Sequence, residues 1–158
     1  MTKETKKVID LLNEARTREL TAIMQYMAQH YELENMDFGK LAKAFKHTAI
    51  AEMKHAEMLS ERILFLGGVP TAKIDAQIKK GEKIADMLAT DIALEEGAIV
   101  LYNKAAAECA ACLDHVSKDI FEKLLREEDA HLDEFQNLKE HVDQLGAAYL
   151  ATQTGAGE

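Results

Sequence analysis

The sequence has no tryptophan, a single proline and only two cysteines, and each shortage excludes something. Cys109 and Cys112 are too few for a disulfide framework. Without a second pair, their Cys-x-x-Cys spacing is a weak zinc or redox signal, and they read as small helix residues. One proline, Pro70, leaves the rest of the chain free to form long uninterrupted helices. No apolar run is long enough to cross a bilayer, and residues 1–7 lack the apolar segment of a secretory signal. A cytoplasmic protein with no membrane partner is therefore expected. Positive charge is also short, with 19 Lys and Arg against 28 Asp and Glu and a net charge of −9. Such a balance disfavours nucleic acid and anionic surfaces and suits the attraction of cations.

What is present is helical periodicity. The first helix, about 5–35, carries a seam of Val8, Leu12, Ala15, Glu19, Ala22 and Tyr26, alternating steps of four and three residues. A second, about 38–66, runs Phe45, Ala49, Glu52, Ala56, Leu59, Ile63 and Leu66. Gly67-Gly68 before Pro70 stops it, and 69–81 reads as an extended connection. The third helix, about 82–112, has Ile84, Leu88, Asp91, Glu95, Ala98, Tyr102 and Ala105. After a turn at 114–117, with Ser117 as N-cap, the fourth carries Phe121, Leu124, Glu128, His131, Phe135, Leu138, Val142 and Leu145. Gly146 ends it. Residues 147–152 form a short extra helix, and 153–158 are expected to be a loose tail. The fold class is all-α: a four-helix bundle in one domain over 1–152, with a long crossover between helices two and three.

Acids interrupt these seams. Glu19, Glu52, Asp91, Glu95 and Glu128 fall on core positions, where an unpaired carboxylate costs about several kcal/mol. Glu52-Met-Lys-His55 and Glu128-Asp-Ala-His131 are both Glu-x-x-His, which puts each pair on one helix face. Each motif follows a seam glutamate at the same interval (52 − 19 and 128 − 95), and the midpoints of both intervals lie at predicted turns. Residues equidistant from a hairpin turn meet at one height, so Glu19 faces Glu52 and Glu95 faces Glu128. The hairpins also match each other at one offset (95 − 19 and 128 − 52), with Glu, Ala, Ile and Tyr in register between 19–26 and 95–102. This internal duplication predicts a centre of four carboxylates and two imidazoles. Its expected occupants are two metal ions, Glu19 and His55 on one, Glu95 and His131 on the other, Glu52 and Glu128 bridging. Such a carboxylate-rich set favours iron or manganese, although zinc also takes these ligands. A polar core of acid–histidine ion pairs is the bland alternative.

At these residues the chain resembles the bacterioferritin family over nearly its whole length. Leu-Thr-Ala-Ile-x-Gln-Tyr (20–26) and Glu-Arg-Ile-Leu-Phe-Leu (61–66) before Gly-x-Pro are similar to family segments. The resemblance implies a ferritin-like bundle and a di-iron centre that oxidises iron(II) with O2 or H2O2. It also implies a 24-subunit homo-oligomeric cage built from dimers, which stores the ferric mineral in cellular iron homeostasis. An electron-donor protein would serve iron release. Haem b is implied between paired subunits, with Met53 as axial ligand and Ile23, Met24, Met27 and Ile50 around it. Being next to Glu52, Met53 should point about 100° around the helix from the core.

Some positions depart from the family pattern. His47 matches an inner-surface iron ligand, but Ala51 stands where its acidic companion is usual, so a solvated histidine is an equal reading. Gly67 replaces a pore glutamate, while Asn35 and Asp133 remain. Tyr26 and Tyr102 read as core aromatics hydrogen-bonded to carboxylates, and Asp91 either bonds a histidine or holds water. His30, His115 and His141 are expected at the surface. A rubrerythrin-like peroxidase shares the ligands but usually carries a four-cysteine module, and a non-catalytic metal-binding bundle is the third possibility.

Overall fold

Two turns of one kind fold the chain into two hairpins. The computed structural model describes residues 1–157, and Glu158, the end of the expected tail, lies outside them. It contains α1 (Lys3–Asn35), α2 (Gly39–Phe65), α3 (Ile84–Ala111), α4 (His115–Leu145) and the short α5 (Ala147–Thr152). Thr2 caps α1, its hydroxyl accepting from the Thr5 N–H at 3.1 Å. Predicted bounds drift from these by one or two residues, the usual fraying distance. At the α1–α2 turn Asp37 is left-handed (φ 64), and the Phe38 N–H reaches back to the Leu33 carbonyl. At the α3–α4 turn Leu113 is left-handed (φ 59), and the Asp114 N–H reaches the Cys109 carbonyl. Both are Schellman-type closures. They stand at the same offset as the duplicated glutamates, so the duplication includes the backbone of the turns. Gly67 (φ 83) closes α2 in the same way, with no Cβ to strain.

α1 packs on α2, α3 on α4, and the hairpins meet along α1–α3 and α2–α4. The crossover between α2 and α3 runs extended along α1, whose polar side holds it at successive turns. Asn13 binds the Thr71 N–H and the Val69 carbonyl, Thr21 binds Asp75, and Gln25 makes two 2.9 Å bonds to the Lys79 backbone. Gln25 is buried for that reason, which its place off the apolar seam did not disclose.

The core is two apolar plugs with a polar layer between. One holds Leu12, Leu59, Ile63, Tyr102, Phe121 and Leu124; the other holds Leu33, Phe45, Leu88 and Phe135, with Tyr26 against Phe135 at 5.3 Å. Each such fully buried side chain stabilises the fold by about 1.5–3 kcal/mol, which lets the bundle tolerate a charged layer at mid-height.

Three expectations need correction. Asp114, not Ser117, caps α4: its carboxylate accepts from the Ser117 N–H at 2.9 Å and hydroxyl at 2.7 Å, while Arg62 pairs with it from α2. The predicted turn is therefore shorter, and Ser117 is buried in the first helical turn. His30 is buried, its Nδ1 lying 2.8 Å from the Ala42 carbonyl, because a helix facing a hairpin partner buries a wider stripe than the seam. Leu145 is exposed, since α4 outruns the bundle there. Residues 153–157 lie along the α1–α2 turn, where the Gly155 N–H donates to the Asp37 carbonyl and the Lys40 N–H to the Gln153 carbonyl.

Candidate metal centre

Between the two plugs the structure brings all six sequence-predicted side chains together. Glu19, Glu52, His55, Glu95 and Glu128 are each no more than 2% exposed, and the His131 side chain is 13% exposed. The imidazoles stack at 5.9 Å between centroids, with both Nδ1 atoms turned to the carboxylates. Glu52 reaches both rings, Oε2 at 2.8 Å from His55 Nδ1 and Oε1 at 3.0 Å from His131 Nδ1. Glu128 does the same from the other hairpin, with Oε1 and Oε2 each at 3.1 Å. Glu19 reaches only His55 (3.6 Å) and Glu95 only His131 (3.9 Å). Two overlapping groups result, Glu19, Glu52, His55 and Glu128 beside Glu52, Glu95, Glu128 and His131, each with its ligating atoms within 4.8 Å of one another.

Too few protons face these oxygens. Tyr26 donates to Glu95 and Tyr102 to Glu19, each crossing from one hairpin to the other. His131 Nδ1 lies 3.1 Å from Glu128. Glu52 keeps both oxygens, Glu128 one, and His55 its Nδ1 without a hydrogen-bond partner. Buried polar atoms left this way are costly, and cations would satisfy them. Without them protons compensate. Burial, with Glu52 and Glu128 adding to it, pushes the Glu19 and Glu95 carboxyls well above the carboxylate range. Burial works against a charged His131, yet Glu128 and Glu52 outweigh it and push the imidazole up to about 10. His55 is raised likewise: burial opposes, and Glu128, Glu19 and Glu52 prevail. Glu128 goes the other way, to about 2, because its two imidazole partners overcome its burial.

A residue beyond the six also matters here. Glu127 Oε2 lies 2.7 Å from His55 Nε2, on the side of the ring away from the cluster. Its position beside Glu128 was the signal available in the sequence. Accepting the Nε2 proton leaves the Nδ1 lone pair free for a metal. Glu127→Ala is expected to weaken metal binding at the centre about 10- to 100-fold, checked by isothermal titration with Co(II). Asp91, which the sequence left open between a histidine and water, is fully buried with both oxygens unpaired, and neither ring bonds it. Burial pushes its carboxyl up, with Gln29 opposing.

Away from the centre, Met53 is 52% exposed on a flank of α2, about 100° around the helix from Glu52. It lines a depression of about 430 Å³ with Leu20, Ile23 and Ile50, whereas Met24 and Met27 lie outside that lining. His47 is exposed in a second depression, of about 720 Å³, whose other charged groups include Lys40, Lys43 and Lys46. Cys109 is buried, and burial pushes its thiol up to about 12, as befits an inert packing residue. No helix among the described residues is long and apolar enough to cross a membrane.

Comparison with known proteins agrees with this geometry. The family model for the ferritin-like domain matches residues 9–145. The chain is 42% identical over 149 residues to a bacterioferritin of Desulfovibrio desulfuricans, covering 94% of this chain and 83% of that one. It is 39% identical over 150 residues to the bacterioferritin of Rhodobacter capsulatus, covering 95% and 93%. Among solved structures, D. desulfuricans bacterioferritin, described with its di-iron site in different catalytic states, superposes with a TM-score of 0.94 at 41% identity, covering 98% and 90%. R. capsulatus bacterioferritin, described with a metal-free dinuclear site and a haem iron in a crystallographic special position, gives 0.91 at 38% identity, covering 95% and 94%.

Proposed function

Since the chain belongs to the bacterioferritins, within the ferritin-like family, we propose that it oxidises iron(II) at the buried centre and stores the ferric product in a homo-oligomeric cage. The observation that carries this is the sharing pattern: Glu52 and Glu128 each offer one oxygen to either half, while Glu19 and Glu95 serve one half each. Glu19 and His55 would hold one iron and Glu95 and His131 the other, with Glu52 and Glu128 shared between the two. Four carboxylates would neutralise two divalent ions, which take over from the protons that otherwise compensate the cluster. Two irons side by side supply two electrons to one molecule of O2 or H2O2. The chain's own part is placement. Tyr26 and Tyr102 fix the terminal carboxylates from the opposite hairpin, Glu127 fixes the His55 tautomer, and the apolar plugs keep bulk water out.

The working unit is one domain over 1–152, acting in the cytoplasm, and the cage is a 24-mer assembled from dimers. Purified protein given iron(II) in air should consume it rapidly and elute as a particle many times the mass of one subunit. A monomer or dimer that oxidises no iron would reject storage. Relatives matching nearly the whole chain disfavour both the rubrerythrin-like peroxidase and a non-catalytic bundle.

Haem is the second cofactor. The half-exposed Met53 thioether above a shallow apolar depression suits one half of a pocket completed by a second copy, each copy giving one methionine to a shared haem b. Met53→Leu keeps the apolar surface and removes the sulfur. The haem absorption band is expected to vanish from the purified dimer, and unchanged haem content would dismiss this ligand.

A further inference from the structure

A narrow mouth opens on the centre, and its lining largely repeats the internal duplication. A cavity of about 10 Å³ lies between α1 and α3 above the clustered acids. Its walls pair off at the same offset as the glutamates, Glu19 with Glu95, Ala22 with Ala98 and Arg18 with Leu94. The mouth therefore sits close to the pseudo-twofold axis. Five of these six residues are apolar or a matched acid pair. Arg18 facing Leu94 breaks the symmetry, as does Tyr102, whose match Tyr26 is outside the lining; Arg18 and Leu94 are the part that reaches solvent.

Arg18 is seated rather than loose. Its Nη2 lies 2.2 Å from where a Gly97 Cβ would stand, so the guanidinium occupies the notch that glycine leaves on α3. Its Nη1 is 3.4 Å from Asp75 Oδ2 on the crossover, and Thr21 holds that aspartate by its other oxygen at 2.8 Å. A cation placed here meets head-on any cation entering this way, over a passage about one water molecule in size.

We propose that Arg18 is the gate of this mouth: latched over Gly97 by Asp75, it must swing outward before a divalent cation reaches the glutamates. The proposal rests on the dinuclear reading given above. Its fork spans the notch and the aspartate at once, which a lysine's single ammonium does not. An exposed ion pair is a weak tether, so opening is frequent and the gate slows entry rather than forbidding it.

The test is anaerobic stopped-flow uptake of Co(II) by the assembled protein, followed by visible absorbance. Arg18→Ala and Arg18→Lys are both expected to fill at about two to five times the wild-type rate, the factor a tether of this strength gives. Both should reach the wild-type end point of two ions per chain. Wild-type rates in Arg18→Ala overturn the gate, as does an Arg18→Lys variant that matches wild type, since charge alone would then set the rate. A wild-type chain that takes up no Co(II) overturns the dinuclear reading instead, and the two failures are told apart by the end point.

Discussion

Glu128→Ala is expected to lower the initial rate of iron(II) oxidation by about 100-fold or more, with the size of the assembled particle unchanged. Losing only a supporting residue of a metal site typically costs about 10- to 100-fold, and Glu128 is placed to bind metal directly. It also stands in both groups at once, one oxygen toward His55 and the other toward His131, so on the proposed reading its loss would remove a ligand from each iron. Glu19→Ala should be milder in kind, since Glu19 faces one half alone. The metal-free variant should be less stable than wild type yet still assemble, because Glu128 is the carboxylate that both imidazoles hold ionised. Stopped-flow absorbance of the ferric product, beside size-exclusion of the same sample, checks both parts. An unaltered oxidation rate would place the chemistry elsewhere.

The second large effect is on stability. Adding Co(II) or iron(II) to the metal-free protein without oxygen should raise its melting temperature by about 10–20 °C near pH 7.5. Two sites each filled at 100 times the dissociation constant contribute about 5 kcal/mol together. For a chain of this length, about 1 kcal/mol moves the midpoint by some 2–4 °C.

The pH dependence has a definite sign. Glu19, Glu95, His55 and His131 all have raised folded pKa values, so the metal-free protein holds extra protons. The stability those protons supply is complete below the unfolded values, about 4.3 for Glu and 6.5 for His. It is lost as pH rises toward the folded values, about 10 for His131. Metal must displace the same protons, so its affinity grows with pH. The stabilisation by metal should therefore be larger at pH 8 than at pH 5.5, with protons released on loading. Glu128, held near 2, has the opposite sign, and its contribution is lost only in strong acid. Differential scanning fluorimetry across that range, with and without Co(II), gives the comparison. A shift independent of pH would mean the metal binds away from the protonated cluster.

The centre was legible because duplication leaves a numerical trace. Equal spacings across two hairpins located Glu19 opposite Glu52 and Glu95 opposite Glu128 with no coordinates, and the same offset holds in the turns at Asp37 and Leu113. The seam also foretold the tyrosines, whose hydroxyls needed a buried acceptor and found one across the bundle. What escaped was everything set by a neighbour off the seam. His30 is buried by the width of the α1–α2 contact, which no single-helix pattern records. The cap of α4 fell to Asp114 because it satisfies the Ser117 amide and Arg62 together. Glu127 supports His55, and Arg18 covers the mouth, only because separate helices bring them there. Met53 showed its outward direction from its place beside Glu52, whereas the surroundings expected for it were only partly right, since Met24 and Met27 lie outside that depression.

The account stands or falls on two ions sharing Glu52 and Glu128. Anomalous X-ray diffraction from crystals loaded with Co(II) measures this directly. Two peaks per chain are expected, one between Glu19 and His55 and one between Glu95 and His131, with both Glu52 and Glu128 reaching each. A single peak, or ions bound outside this cluster, would contradict it.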